Sequence, residues 1–290
     1  MIQIELTDHN GQVAAPRVNE VSLYPNIDDT YTLAAYQGQR LVVRTSQVAG
    51  IKSFGTMASS MQGMAIYGNI AVRMANNSVS STHYVYRVSD SGFSQIASFT
   101  LSGTGHSNAL QFAPILLTGQ TLPYLYVSDT TTKCYVLSFD SSYQATIVQT
   151  ITITGNNCQE LIGDDGHIWT SLPGSDNHRK FCKYRRVAVS EGDVTLTDAD
   201  LLDSWETLEA YPSSGYTAQG WKVKFGRIWF SYGAAGGSHK GISVYDTASH
   251  RHLATLDFTS FSNTEWEDID FYNDSILAAM ATSAVYIIKV

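Results

Sequence analysis

Charge is scarce in this 290-residue chain, and what there is leans acidic. Asp, Glu, Lys and Arg make up 15% of the residues and the net charge is −8. No run of Lys or Arg exceeds two residues, at Arg185-Arg186. A nucleic-acid binder neutralises phosphates with a basic surface, so nucleic acid is set aside as a partner. Cysteine is nearly absent. Cys134, Cys158 and Cys182 are odd in number and lack CxxC spacing, which argues against a disulfide framework and a zinc site. Cys134 and Cys182 fall on strands of alternating pattern and read as buried thiols. No apolar stretch approaches the roughly 18 residues of a membrane-spanning helix, so no membrane insertion is expected. The opening MIQIELTDHN lacks a basic segment followed by an apolar core, so no signal peptide is visible.

Motifs for common chemistries are missing as well. HExxH, GxSxG, the P-loop and the GxGxxG fingerprint do not occur, and His83, His167, His239, His250 and His252 are scattered without ligand spacing. GAAGG at 233–237 is followed by no helix and is not a phosphate cradle. SDNHRK at 175–180 has a composition that suits a divalent ion but equally an ordinary loop. No metal and no cofactor are expected.

What the chain does have is strand-forming residues in a repeat. It contains 17 Tyr, 11 Phe and 5 Trp, which favour strands. Five times an amide or carboxylate heads a short apolar strand: QGMAIYGN from Gln62, NALQFAP from Asn108, QELIGDDG from Gln159, QGWKVKFG from Gln219 and EDIDFYND from Glu267. Successive anchors lie 46, 51, 60 and 48 residues apart. Strand-rich repeats of about 40–60 residues are the signature of a β-propeller, one four-stranded sheet per repeat. The first four repeats each divide into four strands, the third ending in a long VTLTDADLLDSWE. Hairpin signals follow the first strand at Gly68-Asn69, Asp165-Gly166, Gly226-Arg227 and Asn273-Asp274.

The fifth repeat has only three strands before the chain stops at Val290. An open ring would leave an unpaired edge. QVAGIKSF at 47–54 stands before the first repeat as SQIASFTL stands before the second. It is therefore expected to pair with residues about 284–290 and close the ring. Residues 46–290 form the expected five-bladed propeller. Residues 1–45, with IQIEL, EVSLYP and YTLAAY as short strands, form an N-terminal β appendage that could cover the ring, mediate assembly or attach the protein elsewhere. A protein-interaction scaffold built on that appendage is one functional reading.

QGMAIYGN, LPYLYVSD, VTLTDADLLDSW, the second QG before an apolar strand, and EWEDIDFYND resemble an uncharacterised five-bladed propeller family of gut bacterial surface and phage-tail proteins, over roughly residues 50–290. The resemblance implies the fold, recognition of a host or glycan, and an extracellular, cell-surface or virion-associated setting. It also implies EPEGI in the last repeat, where this chain reads Glu265-Trp266-Glu267-Asp268-Ile269.

First strands line a propeller's channel, so Gln62, Asn108, Gln159, Gln219 and Glu267 are expected to form a ring at its mouth. Four amides and a carboxylate suit a neutral polyhydroxylated ligand. They suit equally a structural role, bonding to backbone of the next blade. The loops before these strands add His106, Tyr216, Glu265 and Trp266, whose aromatic and polar groups fit a sugar; Trp221, just inside the fourth repeat, reads as core. Non-enzymatic recognition of a carbohydrate or surface ligand is the leading reading. The alternative is a glycan-cleaving enzyme. Its two carboxylates would have to be Glu160 and Glu267, since the first two channel strands carry no acid and Asp164 and Asp165 read as turn residues.

Overall fold

A computed structural model describes residues 5–7, 13–14, 40–44, 51–58, 61–75, 80–102, 109–129, 132–154, 159–173, 178–207, 218–233, 240–258, 264–273 and 275–288. For 5–7, 13–14, 40–44, 51–52, 61, 80 and 159–161 it describes the backbone alone. Four strands come first: β1 (Glu5–Thr7), β2 (Val13–Ala14), β3 (Arg40–Arg44) and β4 (Ile51–Thr56). The first blade is β5 (Met61–Tyr67), β6 (Ile70–Ala75), β7 (Ser80–Ser89) and β8 (Gly92–Ser102). The second is β9 (Leu110–Phe112), β10 (Leu125–Ser128), β11 (Lys133–Phe139) and β12 (Ala145–Ile153). The third begins with β13 (Gln159–Ile162), β14 (His167–Pro173) and β15 (Arg179–Arg186). After it come β16 (Val194–Leu196) and β17 (Leu201–Glu206). The fourth is β18 (Ala218–Lys224), β19 (Arg227–Tyr232), β20 (Gly241–Asp246) and β21 (His252–Asp257). The fifth is β22 (Trp266–Tyr272), β23 (Ser275–Met280) and β24 (Ala284–Ile288).

Each blade is an antiparallel meander, and the inner strands contact one another in the cyclic order β5, β9, β13, β18, β22 and back to β5. This is the five-bladed propeller the repeat implies. The hairpin turns after the inner strands hold Gly68, Gly166, Gly226 and Asn273 at φ of 55°, 77°, 67° and 50°. Gly and Asn tolerate that left-handed backbone at least cost, which is why those types recur at this point.

Closure is by β4, which pairs antiparallel with β24, Ile51 opposite Ile288 and Thr56 opposite Ala284. The N-terminal strand thus completes the fifth blade. The appendage continues the sheet of the fourth blade: β3 pairs parallel with β21, and β1 and β2 follow outside it. The expected strands EVSLYP and YTLAAY lie outside the described residues.

One strand differs from expectation. VTLTDADLLDSWE is not a single outer strand. Its first part, β16, pairs parallel with β12 and becomes a fifth strand of the second blade, while β17 completes the third. A 3₁₀ turn at Asp198–Asp200 separates them. Asp200 accepts from the Thr197 backbone N–H at 2.9 Å, and Thr197 accepts from the Ala199 N–H at 3.3 Å. Asp and Thr bond their own backbone more readily than they sustain a sheet ladder, so the chain turns there. Arg185 clamps the turn to Asp200 at 2.8 Å.

The core lies between blades. Phe181 is fully buried and packs on Trp205, Trp221, Phe230 and Tyr245, with ring centroids 5.0–5.9 Å away. Trp221 is core, as its place in the repeat suggests. Cys134 and Cys182 are buried thiols in the apolar layer between the second and third blades; Cys158 lies outside the described residues.

Candidate functional site

Three repeat anchors share one backbone feature. Met61 pairs with Ala75 and Met64 with Arg73, so Gln62 and Gly63 together face one residue, Met74. In the fourth blade Gln219 and Gly220 face Ser231 in the same way. In the fifth, Trp266 pairs with Met280 and Ile269 with Ala278, so Glu267 and Asp268 share Ala279. Each is a β-bulge, one extra residue that re-aims a side chain at the head of a strand. The bulge accounts for the anchor in these three blades, whereas Gln159 in the third pairs with Ser171 in regular register. The fourth, fifth and first blades are neighbours in the ring, so the three bulges lie on consecutive inner strands.

All three anchor side chains are buried. Gln219 donates through Nε2 to Glu265 Oε1 at 2.8 Å and to the Gly233 carbonyl at 3.5 Å. Gln62 Oε1 and Glu267 Oε2 have no hydrogen-bond partner among the described residues. Burial raises the Glu267 pKa to about 8. Glu265 and Asp268 add to the rise, and the Arg73 guanidinium opposes it. Arg73 is itself fully buried. It donates through Nη2 to the Met280 carbonyl and, at 3.4 Å, to the Thr282 carbonyl, and its Nη1 lies 3.9 Å from Met57 Sδ. Burial lowers its pKa to about 10, so it remains a cation at neutral pH.

The second residue of the bulge is Gly63 in the first blade, Gly220 in the fourth and Asp268 in the fifth. Asp268 uses its side chain to tie three blades. Its Oδ2 lies 2.6 Å from Lys222 Nζ on β18 and accepts from the Met64 N–H on β5 at 2.8 Å. Burial pushes its pKa up to about 7 against the pull of Lys222 and of the Met64 and Ile269 N–H groups. Two residues on, Asp270 repeats the pattern, paired with Lys224 and accepting from the Ile66 N–H at 2.6 Å. Alternate residues of a strand share a face, so the two pairs form a ladder down the channel wall.

Gln111, on β9, reaches past β13 to β18, donating to the Val223 carbonyl at 3.0 Å and accepting from the Val223 N–H at 3.3 Å.

Of the expected site residues, Gln219 bonds Glu265, Glu267 lies within electrostatic reach of Glu265, and Gln62 occupies the equivalent bulge on the next inner strand. Trp266 is fully buried and stacks on Phe258, centroids 4.6 Å apart, so its ring is packing between strands. His106, Asn108 and Tyr216 lie outside the described residues, and the side chains of Gln159 and Glu160 are likewise not described. The pairing of Glu160 with Glu267 therefore has no geometry here. Asp165 is the turn residue its sequence implied: it binds Lys183 at 2.7 Å and accepts from the Trp169 indole at 3.3 Å. Asp164, beside it, accepts from the Phe225 N–H.

Sequence reading missed Arg73, Lys222, Lys224, Gln111 and the two aspartates as one network. The signal present was K-x-K in WKVKF against D-x-D in EDIDF, each 46 residues from its partner. Among the described residues no cluster of three or more His, Cys, Asp or Glu could hold a metal ion.

No protein-family model matches the chain, and no curated protein matches it. Solved structures do. One is a putative oxidoreductase (glucose dehydrogenase) from Thermus thermophilus, at TM-score 0.48 and 10% identity over 83% of this chain and 99% of that one. Another is the PQQ-bound aldose sugar dehydrogenase of Streptomyces coelicolor, at 0.46 and 10% over 82% and 98%. A third is the WD40 domain of Toxoplasma gondii coronin, at 0.41 and 10% over 82% and 85%. Likeness at this level concerns chain architecture and carries no activity across.

Proposed function

We propose that the protein binds a carbohydrate, without transforming it, at the face where the inner strands begin. The observation that carries this is the pair of buried acceptors without a partner among the described residues, Gln62 Oε1 and Glu267 Oε2, at equivalent bulges of adjacent strands. A buried polar atom left unsatisfied costs about 1–3 kcal/mol. Such atoms are tolerated where a ligand supplies the missing bond. A sugar brings hydroxyl donors at close spacing, and the half-buried Glu265 borders the same place.

Catalysis fits these residues less well. Glycoside hydrolysis needs a second carboxyl some 5–10 Å from the first, free to act on water or substrate. Asp268 and Asp270 are held by lysines, and Glu265 by Gln219. The test is a glycan array followed by incubation with each bound polysaccharide. Binding without release of reducing ends is the expected result. Turnover that disappears in Glu267→Gln while the fold persists would overturn it in favour of the hydrolase.

A further inference from the structure

The junction between the inner and second strands breaks the repeat in one blade. In four blades two to four residues join these strands; in the second, β9 and β10 are joined by twelve, 113–124. The loop is anchored at its base and along its return. The Ala113 N–H donates to the Tyr124 carbonyl at 2.8 Å, and Leu122 is buried in a cluster with Phe112, Leu125 and Phe139. Its tip is a tight turn. The Gln120 N–H donates to the Leu117 carbonyl and the Leu117 N–H to Gln120 Oε1, both at 3.1 Å, with Gly119 at φ 86°. On this frame Ile115, Leu116 and Leu117 stand 65%, 43% and 50% exposed. Three consecutive aliphatic side chains form a patch, unlike the scattered single ones normal on a surface.

Residues 113–124 contain no Asp, Glu, Lys, Arg or His. Half-buried tyrosines border the base of the loop. Tyr124 closes it, and the Tyr67 ring lies 6.1 Å from that of Phe112. Tyr143, in the β11–β12 turn at the same end of the blade, packs on the cluster that holds Leu122. An aliphatic tip above a tyrosine collar matches the layering of a bilayer surface, hydrocarbon inside and a wet interface outside. Three side chains are too few to bury the roughly 1,200 Å² of a stable contact between two copies. We infer that this loop is a peripheral anchor for a lipid surface, with Ile115, Leu116 and Leu117 in the acyl layer and the tyrosines at headgroup level. The contact is interfacial, since no helix of the described residues is long and apolar enough to cross a membrane. The surface it fits is zwitterionic. The chain carries a net charge of −8, and at this end of the first two blades exposed Asp90 and Asp140 are set against Arg87, so anionic headgroups would repel it. The loop lies at the end of the ring opposite the proposed carbohydrate site, so the two readings stand independently.

The experiment is sedimentation of the full chain with vesicles of phosphatidylcholine, alone and mixed with phosphatidylglycerol. Three aliphatic side chains carry about as much hydrocarbon as one myristoyl chain. Reversible partition at or below roughly 10⁴ M⁻¹ is therefore expected on phosphatidylcholine, and weaker partition on the mixture. Ile115→Ser with Leu117→Ser, at exposed positions that spare the fold, is expected to lower partition at least about tenfold with an unchanged melting temperature. In Leu116→Trp, addition of phosphatidylcholine vesicles is expected to shift the added indole emission to the blue. Equal partition of the wild type and the double variant, no partition at any lipid concentration, no emission shift, or tighter binding to the anionic vesicles overturns the lipid assignment. A dimer in size-exclusion chromatography that the double variant abolishes, without vesicle binding, overturns it in favour of a second copy. Each of these outcomes leaves the glycan array to decide carbohydrate recognition separately.

Discussion

His83 lies fully buried in β7 with its ring parallel to Phe99, centroids 4.9 Å apart and planes 2° apart. Burial drives its pKa down to about 3, against a smaller pull from the Ser81 backbone. The ordinary value is near 6.5, so between pH 6.5 and 3 the unfolded chain takes up a proton that the folded chain refuses. The stability associated with neutral His83 is present above about pH 6.5 and is lost as pH falls towards 3, on the order of 3 kcal/mol by pH 4. His83→Phe keeps the stack and removes the titration. Denaturant melts from pH 7 to pH 4 are expected to fall less steeply for the variant. An identical slope would show that His83 is not a source of acid sensitivity. Its sequence context, HYVYRV, marks a strand, and only the burial of the ring against Phe99 shows why its pKa falls.

At the scale of elements, β4 holds the ring closed, and a glycine contact locks it to the first blade. Gly92, at φ 117°, lies so close to β4 that a Cβ there would meet the Phe54 carbonyl oxygen at 2.9 Å. Phe54 also packs edge-on against Phe93, centroids 5.1 Å apart. Gly92→Ala is expected to destabilise by about 1–3 kcal/mol, from strained backbone plus the clash. Removal of residues 1–56 deletes β4, bares the β24 edge and is expected to cause aggregation or unfolding, whereas removal of 1–39 spares both β3 and β4 and is expected to leave a folded ring. Size-exclusion chromatography and thermal melts of the three proteins check this. A soluble, cooperatively melting 57–290 fragment would refute the role of β4. The closing strand was legible because three strands in the last repeat demanded a fourth. The parallel pairing of β16 with β12 was not, because short local sequence does not specify a partner in another blade.

At the scale of the whole molecule, Asp268 joins the fourth, fifth and first blades through Lys222 and the Met64 N–H. Both ion-pair side chains are fully buried, so removing one partner leaves an uncompensated charge. Asp268→Ala is expected to cost about 3–5 kcal/mol, while the double change Asp268→Leu with Lys222→Met is expected to cost less, about 1–3 kcal/mol, because loss of the pair's attraction is offset by its desolvation and what remains is the buried Met64 N–H left without its acceptor. Equilibrium unfolding of the single and double variants measures the coupling. A mild loss in Asp268→Ala, with the two changes simply additive, would show that the pair does not tie the blades.

The sequence by itself determined the architecture: five anchored strands, their turns, an incomplete last blade and a segment to complete it. These are properties of local pattern and spacing, and each of the first four blades forms its four-stranded meander from consecutive residues of its own repeat. It also marked Gln62, Gln219 and Glu267, at which the same bulge recurs at the head of three inner strands. Only the tertiary structure decided which polar groups are satisfied. Lys222 and Asp268 lie 46 residues apart and meet because inner strands of adjacent blades converge on one axis. The same convergence buries Trp266 against Phe258 and leaves Gln62 and Glu267 with acceptors unmet among the described residues. Spacing along a chain carries no information about which side chains share a dielectric environment, and the charge of Glu267 depends on that environment.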